Sequence, residues 1–150
     1  MAVVIADLLD EEHLVLELTA SSRDEALREI VAKMQLSEPE AFLREVIARE
    51  EVQSTFMSDG VAFPHARTDL VERIALGIGR SAAGVSFGPD DRARLIFVIG
   101  VPRRMINDYL VCVGALARLV RDEKMRAALM QSETAAEFVE ILRAGSLLLE

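Results

Sequence analysis

The sequence contains a single cysteine, Cys112, so it has no intrachain disulfide and no cluster of soft ligands for a structural zinc ion. A chain without disulfides fits a reducing cytoplasm. Its 150 residues suffice for one domain, and a domain of this length buries roughly two thirds of the surface that its unfolded chain exposes. We therefore expect one domain over residues 1–150 that needs no cross-link to fold.

Features of exported and membrane-inserted proteins are also missing. The N-terminus has no basic lead-in and too few apolar residues for a signal sequence, and the most apolar later stretch, residues 109–117, is about half the length of a bilayer-crossing helix. The 17 Lys and Arg are outnumbered by 25 Asp and Glu, for a formal net charge of −8, whereas nucleic-acid binding needs clustered Lys and Arg. We expect a cytoplasmic protein without membrane insertion or a nucleic-acid partner, and the charge is compatible with a basic protein partner.

Apolar residues at helical spacing predict several helices. One follows a capping-box sequence at Ser22 and ends near Gln35, and a second begins after Ser37, has Pro39 in its first turn and ends near Glu50. Three more are predicted from about Asn107, with Asn107 or Asp108 as cap, over 122–130, and over 134–143, with Ser132 or Thr134 as cap and Gly145 as stop.

Short apolar runs between these helices predict strands. Residues 3–9 and 14–18 suggest a strand or edge segment, and 61–63 a brief strand. Residues 73–80 alternate large residues with Ala75, Gly77 and Gly79, which leave one face open to close packing. Residues 95–99, after a turn at 88–91, have no polar alternation, as is typical of a central strand covered on both faces. Helices interleaved with strands predict an α/β sandwich, one sheet with helices packed on it.

The candidate chemistry lies in residues 60–67. Pro64 has a locked φ and no amide hydrogen, so it can end a strand ladder and set the direction in which His65 leaves it. An imidazole is often neutral at cellular pH, with one ring nitrogen available as a nucleophile. Arg67 follows at a spacing compatible with a guanidinium at the same mouth, and the second predicted helix brings Arg49 to its C-terminal end.

Structural interpretations of the same residues stay open at this point. A histidine after a strand is commonly a turn residue, and Arg49 alone would be a solvated cation favoured by the helix dipole. Ser54 and Thr55 lie in a loop without periodicity, where they either bond their own backbone or donate to an anion. Tyr109 fits a core position with its hydroxyl at the surface. Cys112 is interpreted as a small buried hydrophobe and His13 as a solvated surface residue.

The chain resembles, over nearly its whole length, the type-2 (fructose/mannitol) enzyme IIA domains of the bacterial phosphoenolpyruvate-dependent phosphotransferase system, including their nitrogen-related regulatory branch. Several motifs in the same order carry this resemblance: Arg49-Glu50, Ser54-Thr55, residues 60–65, residues 84–87, the buried strand ending at Pro102, and residues 116–122.

The resemblance implies a single mixed β-sheet flanked by helices on both faces. It implies that a histidine-containing phosphocarrier protein phosphorylates His65, with Nε2 as the favoured nitrogen, and that the group passes to a IIB domain, so the protein would be a phosphotransferase component with a phosphohistidine intermediate. Arg49 would help to bind the phosphoryl group through paired hydrogen bonds, with Ser54, Thr55 and Arg67 as supporting candidates. No metal or cofactor is expected, because the donor phosphohistidine is already a good leaving group and the task is alignment and charge neutralisation.

One position departs from the family pattern. Where family members usually carry a second histidine followed by leucine, this sequence has Tyr109-Leu110. A tyrosine hydroxyl supplies a hydrogen bond but no positive charge at neutral pH, so Tyr109 is a candidate site residue with an altered role. Two hypotheses follow: a working phosphoryl carrier that delivers the group or uses it as a signal, or a regulatory binding module of the same fold with weak or lost phosphotransfer.

Overall fold

The computed structural model describes residues 4–148, which form a mixed β-sheet with α-helices on both faces. The strands are β1 (Leu14–Val15), β2 (Phe56–Met57), β3 (Val61–Ala62), β4 (His65–Arg67), β5 (Ala75–Gly88) and β6 (Asp91–Val101). The helices are α1 (Arg23–Lys33), α2 (Pro39–Val52), α3 (Ile106–Arg121), α4 (Glu123–Gln131) and α5 (Ala135–Leu147), with 3-10 turns at Ile5–Leu8, Glu11–His13 and Arg103–Met105. The predicted α/β class with one mixed sheet is confirmed. No helix in the described part of the chain is both long and apolar enough to span a bilayer.

Strand β6 is the middle of the sheet, as its uninterrupted apolar run predicts. The strand order is β1-β5-β6-β3-β2, and β5 and β6 form an antiparallel hairpin across the predicted turn. On the other side of β6, β3 and then β4 pair with it in parallel, at Val61↔Leu95 and His65↔Ile99. Two consecutive short strands therefore share one neighbour, and β4 has no second strand beside it among residues 4–148.

Two hydrophobic clusters lie on opposite faces of the sheet. Because side chains of a strand alternate between faces, β6 contributes Leu95, Phe97 and Ile99 to one cluster and Ile96 and Val98 to the other. Helices α3, α4 and α5 cover the first face, and helices α1 and α2 cover the second; their most buried side chains are Leu116, Leu129, Phe138 and Leu142 on the first, and Leu27, Ile30, Phe42 and Val46 on the second. The two helical layers are what bring residues from α2 and α3 to the same sheet edge.

The small residues of β5 serve close packing, as predicted. A Cβ at Gly77 would lie 2.5 Å from Cγ of Met34, and one at Gly79 would lie 2.6 Å from Cδ1 of Ile30. These distances are shorter than any real Cβ contact, so α1 approaches the sheet only because both positions lack a side chain.

Three predicted strand features differ from the structure. Residues 5–8 form a 3-10 turn rather than a strand, and Val3 lies outside the described residues; only Leu14–Val15 becomes a short parallel strand beside β5. The strand expected over 73–80 continues to Gly88 through an irregularity in its pairing after Arg80. Pairing does not end at Pro64, because its carbonyl accepts the amide of Ile99 at 3.0 Å and the chain resumes as β4 at His65.

Several predicted helix ends were wrong. Ser22 is the N-cap residue of α1, as predicted, but its side chain makes no capping bond. Glu38 rather than Ser37 is the cap of α2, and Met105 rather than Asn107 or Asp108 precedes α3. Thr134 does cap α5, accepting from the Glu137 amide, as one of the two predicted alternatives. Helix α5 does not stop at Gly145 but runs to Leu147, since that glycine makes room for Met125 and Leu119 within the helix layer.

Candidate functional site

A cavity of about 410 Å³ lies at the free edge of β4, between the C-terminal end of α2 and the N-terminal end of α3. Strand β4 forms its floor, and residues from the two helical layers form its walls. Its lining residues are Glu45, Arg49, His65, Ala66, Arg67, Val101, Ile106 and Tyr109. Four of the six predicted site residues therefore line one cavity although up to sixty positions separate them along the chain.

His65 is half-buried at the start of β4 and is held by its own loop. Its Nδ1 lies 3.1 Å from the carbonyl oxygen of Phe63, which only accepts, so Nδ1 carries the proton. The lone pair is therefore on Nε2, which makes no hydrogen bond with the described residues. Burial lowers the pKa of His65; the Phe63 carbonyl opposes this shift, Arg49 adds to it and Glu50 opposes it. A neutral imidazole with a fixed tautomer at a cavity is a nucleophile at neutral pH.

Arg49 stands in the last turn of α2, on the opposite wall from α3. Its Nη1 donates to the carbonyl oxygen of Gln53 at 2.8 Å, and within residues 4–148 no carboxylate lies within ion-pair distance of its guanidinium. Arg49 lines the same cavity as His65 and Tyr109, and its charge lowers the pKa of both. The remaining donors of the guanidinium are thus available to an anion held beside His65.

Arg67 lies two residues after His65 on the same short strand. Residues two apart on a strand share a face, so its exposed side chain starts from the same side of β4 as the imidazole. It has no carboxylate within ion-pair distance among the residues the structure describes. The cavity therefore contains two guanidiniums that form no ion pair with the described residues, together with the carboxylate of Glu45, which accepts from Thr68.

Tyr109 closes the cavity from α3. Its side chain is buried, and its ring centroid lies 5.3 Å from that of His65 with the planes tilted by 39°. Burial raises the pKa of Tyr109 and Arg49 lowers it, so the hydroxyl keeps its proton at neutral pH. Tyr109, the candidate taken from the departure in the family motif, therefore stands beside the His65 ring. Asn107 and Asp108, which precede it on α3, do not line the cavity.

Ser54 and Thr55 lie outside the cavity, so neither is placed to donate directly to a group at His65. The Ser54 hydroxyl accepts from the Phe56 amide at 3.2 Å, as a local turn residue does. Thr55 faces inward, where its Oγ1 accepts from the Phe63 amide at 3.2 Å. Thr55 is therefore in a supporting position behind the His65 loop.

Glu50 entered the sequence analysis only as part of the Arg49-Glu50 motif, without a role in the candidate site. It is 2% exposed, and its two carboxylate oxygens accept from the amide and the hydroxyl of Thr55 at 2.7 and 2.8 Å. The available signal was a glutamate next to Arg49 and five residues before a threonine. Neither residue type nor spacing indicates burial, because most helix-end glutamates are solvated.

The other singled-out residues lie apart from this cavity. Cys112 is buried, and burial, with Asp108 and Asp7, raises the pKa of its thiol, as expected of a structural cysteine. His13 is more buried than predicted: its side chain is 25% exposed, its Nε2 lies 3.9 Å from Asp10, and it lines a second cavity of about 810 Å³ that contains neither Arg49 nor His65. Residues 4–148 contain no group of three or more His, Cys, Asp or Glu arranged to hold a metal ion.

Comparisons with known proteins agree on one family. The family model described as "Phosphoenolpyruvate-dependent sugar phosphotransferase system, EIIA 2" matches residues 7–145. The "PTS system fructose-specific EIIABC component" of Bacillus subtilis is 27% identical over 144 residues, which are 92% of this chain and only 23% of that protein. The crystal structure of nitrogen regulatory protein IIA-Ntr from Neisseria meningitidis is similar with a TM-score of 0.83 and 28% identity, over 92% of this chain and 98% of that one.

A solved complex contains another similar chain, the Escherichia coli enzyme IIAMTL bound to phosphorylated enzyme IIBMTL. The likeness has a TM-score of 0.77 and 26% identity, over 91% of this chain and 97% of that one. The same fold thus occurs in proteins named for mannitol and for nitrogen regulation.

Proposed function

The chain belongs to the EIIA type-2 family of the phosphoenolpyruvate-dependent sugar phosphotransferase system, and from this premise we propose that His65 is its phosphoryl acceptor. In this proposal a histidine-containing phosphocarrier protein is the donor, and a IIB domain or a regulated target protein is the next partner. The protein acts as a phosphotransferase component in the cytoplasm, where donor and acceptor meet.

One observation carries the proposal: a half-buried imidazole with its proton held on Nδ1 shares a cavity with two arginines that have no carboxylate partner in the described chain. A transferring phosphoryl group needs a lone pair in line with phosphorus and positive charge around its oxygens. Nε2 of His65 supplies the first, and Arg49, with Arg67 in support, supplies the second. Tyr109 contributes a hydroxyl donor in place of a cation.

The transfer balances without a proton shuttle. The Nε2 lone pair attacks phosphorus, an N–P bond forms on His65, and the N–P bond of the donor phosphohistidine breaks with its electron pair returning to the donor ring. In this step the proton of His65 stays on Nδ1, which donates to the Phe63 carbonyl. Delivery to the next partner is the reverse step at Nε2.

The route after His65 rests on the similar proteins. The mannitol-related chain is in complex with a phosphorylated IIB partner, and the chain from Neisseria meningitidis is named for nitrogen regulation. The same phosphohistidine serves both routes, since it is a transferable group and also a change of charge that another protein can recognise.

Incubation with phosphoenolpyruvate, enzyme I and the phosphocarrier tests the acceptor. We expect acid-labile phosphate on the native chain, no label on His65→Ala, and full label on His13→Ala, which removes the other of the two histidines. A native chain that stays unlabelled while a control IIA domain is labelled would exclude a working carrier, and label that persists in His65→Ala would exclude this acceptor.

Tyr109 motivates the second candidate, a regulatory module that binds its target with weak phosphotransfer. Its ring centroid lies 5.3 Å from that of His65, and it presents a protonated hydroxyl where the family usually has a second imidazole. If the module is regulatory, Tyr109→His raises the rate of phosphorylation, while the native protein still binds its target without any donor. Equal rates for Tyr109→His and the native chain would remove the reason for this candidate.

A further inference from the structure

We propose that Glu50 is a positioning residue that acts through Thr55 and the backbone of Phe63 to hold the His65 imidazole in the tautomer and orientation needed for transfer. The inference rests on the proposed function of His65, and it gives a role to Glu50, which the Arg49-Glu50 motif contains without assigning it one. Four hydrogen bonds connect the carboxylate to the imidazole: the amide and hydroxyl of Thr55 donate to Glu50 at 2.7 and 2.8 Å, the Phe63 amide donates to Thr55 Oγ1 at 3.2 Å, and Nδ1 of His65 donates to the Phe63 carbonyl at 3.1 Å.

The place of Glu50 is unfavourable for a carboxylate on general grounds. It lies in the last turn of α2, where the helix dipole disfavours negative charge, and it is 2% exposed, so it has lost most of its hydration. Both of its oxygens are bonded to Thr55, and it forms no ion pair with the described residues. A buried charge is compensated here by hydrogen bonds that lead toward the reacting ring rather than by a cation.

The series of hydrogen bonds from Glu50 to His65 can run in only one direction. A carboxylate accepts and a backbone amide donates, so the Thr55 hydroxyl must donate to Glu50 and accept from Phe63. Both backbone groups of Phe63 are then fixed, the amide on Thr55 and the carbonyl on Nδ1 of His65. The Glu50 carboxylate therefore determines the position of the Phe63 carbonyl, and that carbonyl sets the tautomer of His65.

This arrangement has a chemical consequence for the phosphorylated state. With phosphorus on Nε2 and the proton kept on Nδ1, the ring becomes an imidazolium, and the N–P bond breaks more readily because the departing ring is neutral. The negative charge of Glu50 favours that protonated ring, as it does in the free protein, where it raises the pKa of His65. Glu50 thus assists delivery as well as acceptance.

The other charged and titratable groups around the ring do not duplicate this role. Arg49 from α2 acts in the opposite sense, Arg67 and Tyr109 face the cavity side of the ring, and Glu45 lines the same cavity but accepts from Thr68 at 2.9 Å. Glu50 is the acidic group that acts on His65 from behind the strand.

Side-chain ¹⁵N NMR of the free, full-length protein tests the inference without any phosphorylation. In the native chain we expect a protonated Nδ1 and an unprotonated Nε2 on His65 in its neutral form. Glu50→Gln should move the His65 titration midpoint downward and mix the two tautomers. Glu51→Gln is the matched control, because it removes the same charge at the neighbouring position, where the side chain is exposed. It should leave the titration midpoint and the tautomer of His65 unchanged.

A chemical donor gives the kinetic readout. With potassium phosphoramidate in place of the phosphocarrier, we expect Glu50→Gln to acquire and lose the phosphoryl group between about 10-fold and 100-fold more slowly than native and Glu51→Gln proteins. Thr55→Val should reproduce the slow rate and the tautomer change, and Thr55→Ser, which keeps the hydroxyl, should restore the native behaviour even if Glu50→Gln does not fold.

The outcomes separate the two proposals. The role of Glu50 would be overturned if Glu50→Gln kept the native His65 tautomer, the native titration midpoint and the native transfer rates. If Glu50→Gln does not fold, the same result in Thr55→Val would overturn it. A native chain that no donor phosphorylates would instead overturn the carrier function, and the tautomer comparison would still decide whether Glu50 positions the ring.

Discussion

Two consecutive residues at the end of α2 act on His65 in opposite senses. Arg49 lowers the pKa of the imidazole from the open side of the cavity, and Glu50 raises it from the buried side. Burial, the largest contribution, also lowers the pKa, so the sum favours the neutral ring. A lowered pKa favours the neutral ring, and the Phe63 carbonyl holds its one proton on Nδ1, so that the lone pair is on Nε2.

Arg49→Ala should change both the acid–base and the transfer behaviour of His65. Because Arg49 lowers the pKa of His65, its removal moves the titration midpoint upward, so the ring becomes protonated and non-nucleophilic at higher pH. We also expect phosphorylation about 100-fold slower, since a charged donor to the phosphoryl oxygens is lost. NMR titration and rates of phosphate incorporation measure the two effects.

Arg44→Ala is the matched control for this substitution. Arg44 lies on the same helix but is exposed and does not line the cavity. An Arg44→Ala variant that shifted the His65 midpoint as far as Arg49→Ala would show that overall charge, not proximity, is responsible.

At the scale of elements, the glycines divide by what surrounds them. Gly77 in β5 faces α1 so closely that a Cβ would meet Met34 and Ile30 at 2.9 Å or less. Gly114 lies within α3 with no atom within 4 Å of a Cβ position. The first glycine sets the distance between helix and sheet, whereas the second only weakens its helix.

One added methyl group should therefore have opposite effects at these positions. We expect Gly114→Ala to raise the free energy of unfolding by about 0.5–1 kcal/mol, because alanine is the better helix residue and nothing obstructs it. We expect Gly77→Ala to lower it by roughly 1–3 kcal/mol through overpacking against α1. Urea unfolding of both variants measures the difference, and a Gly77→Ala protein as stable as the native one would contradict the packing account.

At the scale of the whole molecule, the cavity forms where β4 has no second strand beside it among residues 4–148 and where both helical layers contribute side chains. Helix α2 packs on one face of the sheet and contributes Arg49, and α3 packs on the other and contributes Tyr109. Two guanidiniums, those of Arg49 and Arg67, and one carboxylate, that of Glu45, therefore line this cavity, and Glu45 bonds to Thr68 rather than to either arginine.

The residues themselves determined the fold class of the protein and indicated where its candidate site lies. The apolar run of β6, the small residues of β5 and the Pro64-His65 sequence are local signals, because strand periodicity, close packing and ring chemistry depend on neighbours along the chain. Only the tertiary structure decided that Glu50 is buried, that Thr55 faces inward and that Tyr109 stands 5.3 Å from His65. Those facts depend on how the two helical layers pack on the sheet around β4. No local sequence pattern records them, because burial and inter-residue distance are set by residues far apart in the sequence.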